Sequence, residues 1–328
     1  MRRFRLAITA AVVVGSIVAT AADAGATFPG TNGEIAYWHA GGWRSDETGY
    51  SLRTMNPDGS PGRVLWPEDA LLGTGLNQAM PYDAEWSPDG SVVAMIARGE
   101  TLGGDRLVIG DPATGERHVV LRISSFNDHA FFASIAFDPT GDRLLFCARE
   151  LNREAHLYTL AVDGFDLTLV SDRRACLADW SSTNRIVAVV GRNLNKIVTM
   201  APDGSDRHVV VPSVTRPTDF PFGDSPSWSP DGSRVAYSVR VGARAQYDLF
   251  SVAADGAARI RLTHTPRRDE LFPLFSPDGT AVAFSRSRSF AQQLQSDLFI
   301  VTADGSNEER LTDTPRRYEF TRSWQALS

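Results

Sequence analysis

Carboxylates recur shortly ahead of a set of aromatic residues. Asp83 precedes Trp86, Asp224 precedes Trp228, Glu270 precedes Phe275 and Glu319 precedes Trp324, with the pair Asp128-His129 ahead of Phe137. Brought together, such groups could hold a divalent cation such as calcium through hard oxygen ligands, or receive the basic end of a peptide. The other reading, to which the sequence gives more weight, has each acid capping a loop and accepting hydrogen bonds from backbone amides of the next unit, a common use of Asp in turn-rich chains. Five acids crowded at one place would repel one another and need an offset. Arg268, Arg317 and Arg322 are the nearest cations in sequence, and pairing with them is favoured over a bound cation. No cofactor is therefore expected, with calcium kept as the alternative.

His39, His129, His156 and His264 could join the acids around a transition metal. Their spacing matches no compact ligand motif, so they read as surface residues. No catalytic residue is assigned. Gly223-Asp224-Ser225-Pro226-Ser227 starts like a nucleophile elbow but lacks its last glycine and its strand-turn-helix setting. No phosphate-cradling glycine loop is present. Trp43, Tyr50 and Trp66 read as exposed aromatic residues that could stack on sugars or clamp a peptide, or else pack their own loops.

The elements that position these residues follow from a repeat. Trp86-Ser87-Pro88-Asp89-Gly90 returns as Trp228-Ser229-Pro230-Asp231-Gly232 and Phe275-Ser276-Pro277-Asp278-Gly279. Weaker copies start at Phe137 and Trp180, and a truncated one is Ser323-Trp324; the steps between the aromatic residues are 51, 43, 48, 47 and 49. In each unit Pro presets the first corner of a turn and Gly takes a positive φ. Runs such as Arg234-Val235-Ala236-Tyr237 and Asp248-Leu249-Phe250-Ser251 follow, then an Asp-Gly turn and a last run such as Arg261-Leu262-Thr263. Four antiparallel strands in under about fifty residues make a propeller blade. The first unit opens at its second strand, Gly33 to Trp38, and the last stops after its first, Thr321 to Trp324. The expectation is an all-β, six-bladed β-propeller over residues 27–328, its ring closed by the C-terminal strand joining the N-terminal blade.

These residues resemble the TolB-type β-propeller repeats, a WD-like family. The aromatic-Ser-Pro-Asp-Gly turn, the Ile-Ala-Phe-like and Asp-Ile-Tyr-like strands, Asp-Gly and Leu-Thr are all present. Tyr82 to Trp86 and Asp224 to Trp228 match the family's lead-in segment. The resemblance runs from about Gly33 to Trp324 and departs at the first turn in blades 3 and 4. The family's namesake serves an envelope energy-transducing system and has an extra N-terminal α/β domain, for which this sequence has no room.

Met1-Arg2-Arg3-Phe4-Arg5 and the apolar stretch from Leu6 to about Ala22 read as a secretory signal, residues 1–26. Retention as an uncleaved anchor is the alternative. The expected destination is the cell envelope, the periplasm or the outside of the cell. Cys147 and Cys176 fall on the same face by the strand topology, and export would permit a disulfide; two separate small buried residues are the reading given more weight. The net charge is −6 and the mature chain is more acidic still, which argues against nucleic acid, a partner that needs a basic footprint.

The long connections, from second to third strand and from blade to blade, share one face, where binding usually resides. The leading reading is an exported, non-catalytic, monomeric binding scaffold. Its partner would be an envelope or extracellular protein or peptide, or a glycan, and no membrane span would remain after signal cleavage. Two alternatives stand beside it. One is a metal-dependent propeller enzyme resembling the oligogalacturonate lyases. The other is a sensor or accessory subunit of a separately encoded enzyme.

Overall fold

The computed structural model describes residues 28–41, 50–66, 80–98, 104–123, 130–150, 155–171, 173–214, 226–241, 246–288, 295–315 and 317–328. Segment 1–26, Trp43, Asp128, His129 and Asp224 lie outside them, as does the Tyr50 side chain. The described strands form six four-stranded antiparallel sheets, and no α-helix occurs among the described residues. These are the six blades of a propeller.

Blade 1 joins the two ends of the chain. Arg317–Leu327 pairs with Thr31–Gly41, followed outward by Tyr50–Met55 and Pro61–Trp66. Its register sets Trp324 opposite Ile35, Ser323 opposite Ala36 and Thr321 opposite Tyr37. The expected closure is therefore present. In the other blades the innermost strands are Met80–Trp86, Ala130–Phe137, Ala175–Trp180, Ser227–Trp228 and Asp269–Phe275, in blade order.

Side-chain chemistry fixes the turn after each innermost strand. Ser87 Oγ donates to Asp89 Oδ1 at 2.6 Å and accepts from the Val92 amide at 3.0 Å, while Asp89 accepts from the Ser91 amide at 3.1 Å. The same set recurs at Ser229 and Ser276. The two blades that depart in sequence reach the same turn by substitution. Asp138 accepts from Arg143 N at 2.8 Å, and Ser181 accepts from Arg185 N at 2.9 Å. Asn184 takes the left-handed corner at φ 56°, which Asn tolerates better than most residues. Gly90 has a second constraint besides its φ of 67°: a Cβ there would lie 2.8 Å from the Ala326 carbonyl of blade 1.

The core lies between blades. Trp66, Trp86 and Met95 pack blade 1 against blade 2, and Ile35, Trp324 and Leu298 pack blade 1 against blade 6. Trp66 is thus buried, at 2% exposure, and not the exposed stacking residue its loop-end position suggested. Its strand ends where the interblade core begins.

Cys147, in the second strand of blade 3, and Cys176, in the first strand of blade 4, are bridged, with Cα atoms 5.2 Å apart. The bridge spans 29 residues and covalently joins two blades. Loop-closure entropy for that separation gives about 3.6 kcal/mol of stabilisation. Cys147→Ala with Cys176→Ala is expected to lose about that much in a denaturant titration, with a steeper slope because the unfolded chain expands. A midpoint equal to the native protein's would show that the bridge contributes nothing.

Candidate functional site

Strand alternation decides what lines the axis. The aromatic residue ending each innermost strand enters the interblade core, so the residue before it faces the opposite way, into the channel. Those residues are Glu85, Ala136, Asp179, Ser227, Leu274 and Ser323. Two positions earlier the strands are irregular. Ser134, Leu177 and Phe272 have φ of 60°, 54° and 60°, and the ladders shift register there. Such bulges re-aim side chains, and they bring Asp83, Phe272 and Thr321 to the channel as well.

A ring of hydrogen bonds joins the innermost strands around this axis. Ser323 Oγ accepts from the Trp86 amide at 3.0 Å, and Asp83 Oδ2 from the Ile135 amide at 3.2 Å. Ser134 Oγ accepts from Ala178 N at 3.2 Å, Asp179 Oδ2 from Trp228 N at 2.7 Å and Ser227 Oγ from Phe275 N at 3.4 Å. Thr321 Oγ1 closes the circle by donating to the Phe272 carbonyl. Each bond runs from one blade to its neighbour. The innermost strand is the edge of its sheet, so the ladder leaves its axis-facing backbone groups without a partner, and a buried unpaired amide would cost about 1–3 kcal/mol.

Asp83, Glu85 and Asp179 therefore share a channel cavity of about 60 Å³ with Arg322. Each keeps part of its surface open to the channel but is otherwise surrounded by protein. Burial pushes the Asp83 carboxyl up to about 6, although the Arg322 guanidinium and the amides of Ala84 and Ile135 pull it down. Burial likewise carries Asp179 to about 7, opposed by the Trp228 and Trp180 amides and reinforced by the Asp83 charge. Glu85 is raised well above the carboxylate range by burial and by the charges of Asp179 and Asp83, with a Ser323 hydrogen bond acting against them. The cavity has room for a few waters and none for a sugar ring. It is a protonatable cluster beneath the channel mouth.

Of the acids singled out from sequence, Asp83 lies here, and Asp128, His129 and Asp224 are outside the described residues. Glu270 and Glu319 are elsewhere. They stand five residues before their aromatic residue, beyond the irregular step, and are buried between blades at 0% and 1% exposure. Glu270 accepts from Thr263 Oγ1 at 2.7 Å and from Arg286 Nε at 2.9 Å. Glu319 accepts from Thr312 Oγ1 and lies 3.1 Å from His39 Nδ1. Thr263 and Thr312 belong to the Leu-Thr of the preceding blade and also accept from the amides of Leu249 and Leu298. These acids thus staple adjacent blades. Burial raises Glu270 to about 7 against the pull of Arg286 and Thr263, while Asp248 pushes it up further.

Glu85 and Asp179 escaped the sequence reading, although each directly precedes a tryptophan, an offset that the pleat aims at the axis. Of the arginines considered as offsets, Arg322 faces Asp83, its guanidinium 5.0 Å from the Phe272 ring centre. His39 is buried, not superficial, because Glu319 holds it. His156 Nδ1 lies 3.4 Å from the Ser171 carbonyl, and His264 is exposed. Among the described residues no three His, Cys, Asp or Glu side chains converge to hold a metal.

No family model matches the chain. The Tol-Pal system protein TolB of Francisella tularensis subsp. holarctica is 26% identical over 176 residues, which is 53% of this chain and 37% of that protein. The chain thus matches well under half the length of this curated relative. The crystal structure of TolB from Acinetobacter baumannii superposes with a TM-score of 0.68 at 18% identity, covering 90% of this chain and 67% of that one. An oligogalacturonate lyase in complex with manganese shares the fold at a TM-score of 0.50 and 12% identity, covering 80% of this chain and 70% of that one. In repeat sequence and in six-bladed architecture alike, the chain is similar to the TolB-type β-propellers.

Proposed function

We propose that the protein is an exported, non-catalytic propeller that binds a protein partner of the cell envelope on its long-connection face. The observation that carries the reading is the likeness to TolB, a protein named for the Tol-Pal system, in sequence and in fold. The axial cavity is consistent with it, because about 60 Å³ leaves no room for a substrate on the axis. Export is supported by the arginines and apolar run at the start of the sequence, and by the Cys147–Cys176 bridge, which persists in oxidising compartments. Among the described residues no helix is long and apolar enough to cross a membrane.

The test is affinity capture from envelope extract with the mature chain as bait, read by mass spectrometry. A protein retained by the native chain is expected to be lost on substituting the exposed His264 and Arg267 of the 5-to-6 connection. It should be kept on substituting Asp203, in a short turn at the opposite face. Retention that is indifferent to the 5-to-6 connection would overturn the proposed face. The second reading, a metal-dependent lyase, draws on the fold shared with the manganese-bound oligogalacturonate lyase. One equivalent of tightly held manganese in the purified protein, with cleavage of oligogalacturonate, would replace the first reading by the second.

A further inference from the structure

The connection from blade 5 to blade 6 and the outer strands of blade 6 enclose a groove of about 650 Å³ on the long-connection face. Four arginines line it: Arg268, Arg286, Arg288 and Arg310. Two are fully engaged by acids. Arg286 forks onto Glu308 at 2.5 and 2.6 Å and donates Nε to Glu270, and Arg310 donates to Asp297 at 2.8 Å and Asp313 at 2.7 Å. Those acids are thereby committed. Arg268 and Arg288 have no acidic partner among the described residues.

The register makes this arrangement costly. In blade 6 Glu270 stands opposite Arg286 and Asp269 opposite Ser287. Continued by one step, the ladder sets Arg268 across from Arg288. They share the face of Glu270 and Arg286, because residues two apart point the same way. Like charges directly across an antiparallel pair destabilise it. The repeat itself does not demand the pairing. In blade 1 the equivalent arginine, Arg317, stands opposite Gly41, and His39 takes the place of Arg286. The turn leading into Arg268 adds a second cost, since Arg267 is held at φ 67°, a region that disfavours residues with a Cβ.

Two arginines on one face, lining one groove and without an acidic partner among the described residues, suit the planar oxygens of a carboxylate or phosphate. The floor suits a larger body: the Arg286 guanidinium stacks over the Phe299 ring at 4.3 Å, giving a flat, partly apolar surface. A volume of 650 Å³ falls in the range of small-molecule pockets. We infer that the groove between blades 5 and 6 is a binding site for a small anionic ligand whose carboxylate or phosphate bridges Arg268 and Arg288. The inference does not depend on which protein the propeller binds.

The test uses the full mature chain, with inorganic phosphate and D-glucuronate as probes in thermal melts, against sodium chloride at matched ionic strength. At least one probe is expected to raise Tm saturably by about 3–6 °C. Phosphate alone doing so would make the ligand a phosphate, glucuronate alone a sugar acid. Arg268→Gln and Arg288→Gln should each abolish the rise. Each should also melt above the native protein in ligand-free, low-salt buffer, because the like-charge contact is gone. Both substitutions are at the rim, so they should leave circular dichroism unchanged. No rise beyond the salt control, or a rise that survives in both variants, would overturn the site.

Discussion

A chain lacking Thr321 to Ser328 is expected to lose its cooperative thermal transition and to bind hydrophobic dyes at room temperature. The deletion removes Trp324, buried at 3% and bonded through its indole to the Gly33 carbonyl, and Ala326 beside it. Losing a buried tryptophan alone costs about 3–5 kcal/mol. The deletion also takes Ser323 from the Trp86 amide and Thr321 from the Phe272 carbonyl, so two links of the axial ring go at once. It leaves the inner edge of Thr31–Gly41 largely unpaired, with Ile35 and Tyr37 uncovered. A native domain holds only about 5–15 kcal/mol in reserve, and these losses together approach or exceed it. A truncated chain melting within a few degrees of the native one would show that the ring does not need its closing strand.

The second large effect is a stability that falls as pH rises from about 4 to 7. Asp83 and Asp179 titrate near 6 and 7 in the folded protein, Glu270 near 7 and Glu85 above the carboxylate range, against the usual 3.8 for Asp and 4.5 for Glu. A raised folded-state pKa means that the folded chain holds more protons than the unfolded one across that interval. Stability is therefore full below it and lost as pH climbs through the folded-state values. Each tenfold difference in proton affinity between folded and unfolded chains corresponds to about 1.4 kcal/mol per group. With screening by channel water discounted, a few kcal/mol remain for the axial acids.

Below pH 4 the sign reverses. Partial burial pushes Asp89, Asp231 and Asp278 in the turns upward, but hydrogen bonds from neighbouring hydroxyls and amides outweigh it and lower all three. Bonds of the same kind, from Thr302 and Ser306, hold the exposed Asp304 at about 2. Protonating these carboxylates removes the bonds. Melting temperature against pH should thus peak near pH 4–5. Asp179→Asn keeps an acceptor for the Trp228 amide, gives up the one for the Trp180 amide and removes the charge. It should raise Tm at pH 8 by several degrees and lower it slightly at pH 4, where only the lost bond counts. The same lowering at both values would mean that the charge of Asp179 costs the fold nothing.

The fold was readable because its signals are local. Ser87, Asp89 and Gly90 close their turn with bonds among six consecutive residues, so the motif carries the geometry wherever it stands. Even the degraded copies at Asp138 and Ser181 keep an acceptor at the first corner. The site was less readable because a bulge lies between the acids and the aromatic residues that index them. Counting back from Trp86 places Asp83 correctly. The same counting fails for Glu270, since the step at Phe272 turns the strand before Glu270 is reached and sends its carboxyl between blades. The arginine pair of the groove was hidden for another reason. Arg268 and Arg288 are twenty residues apart, and only the strand register makes them neighbours.

The axial ring of hydrogen bonds has a consequence for how the molecule opens. The amides of Trp86, Ile135, Ala178, Trp228 and Phe275 are each held by a side chain of the adjoining blade. None can be released by fraying of its own sheet. Exchange with deuterated solvent at these five should need separation of whole blades, and so share one slow rate close to that of global unfolding. The rim differs. Ile260–Arg261 and Thr168–Leu169 are two-residue outer strands paired on one side only, and their amides should exchange early and independently. The propeller would behave as a rigid hub carrying loosely held tips, with the hub able to persist while single tips come and go.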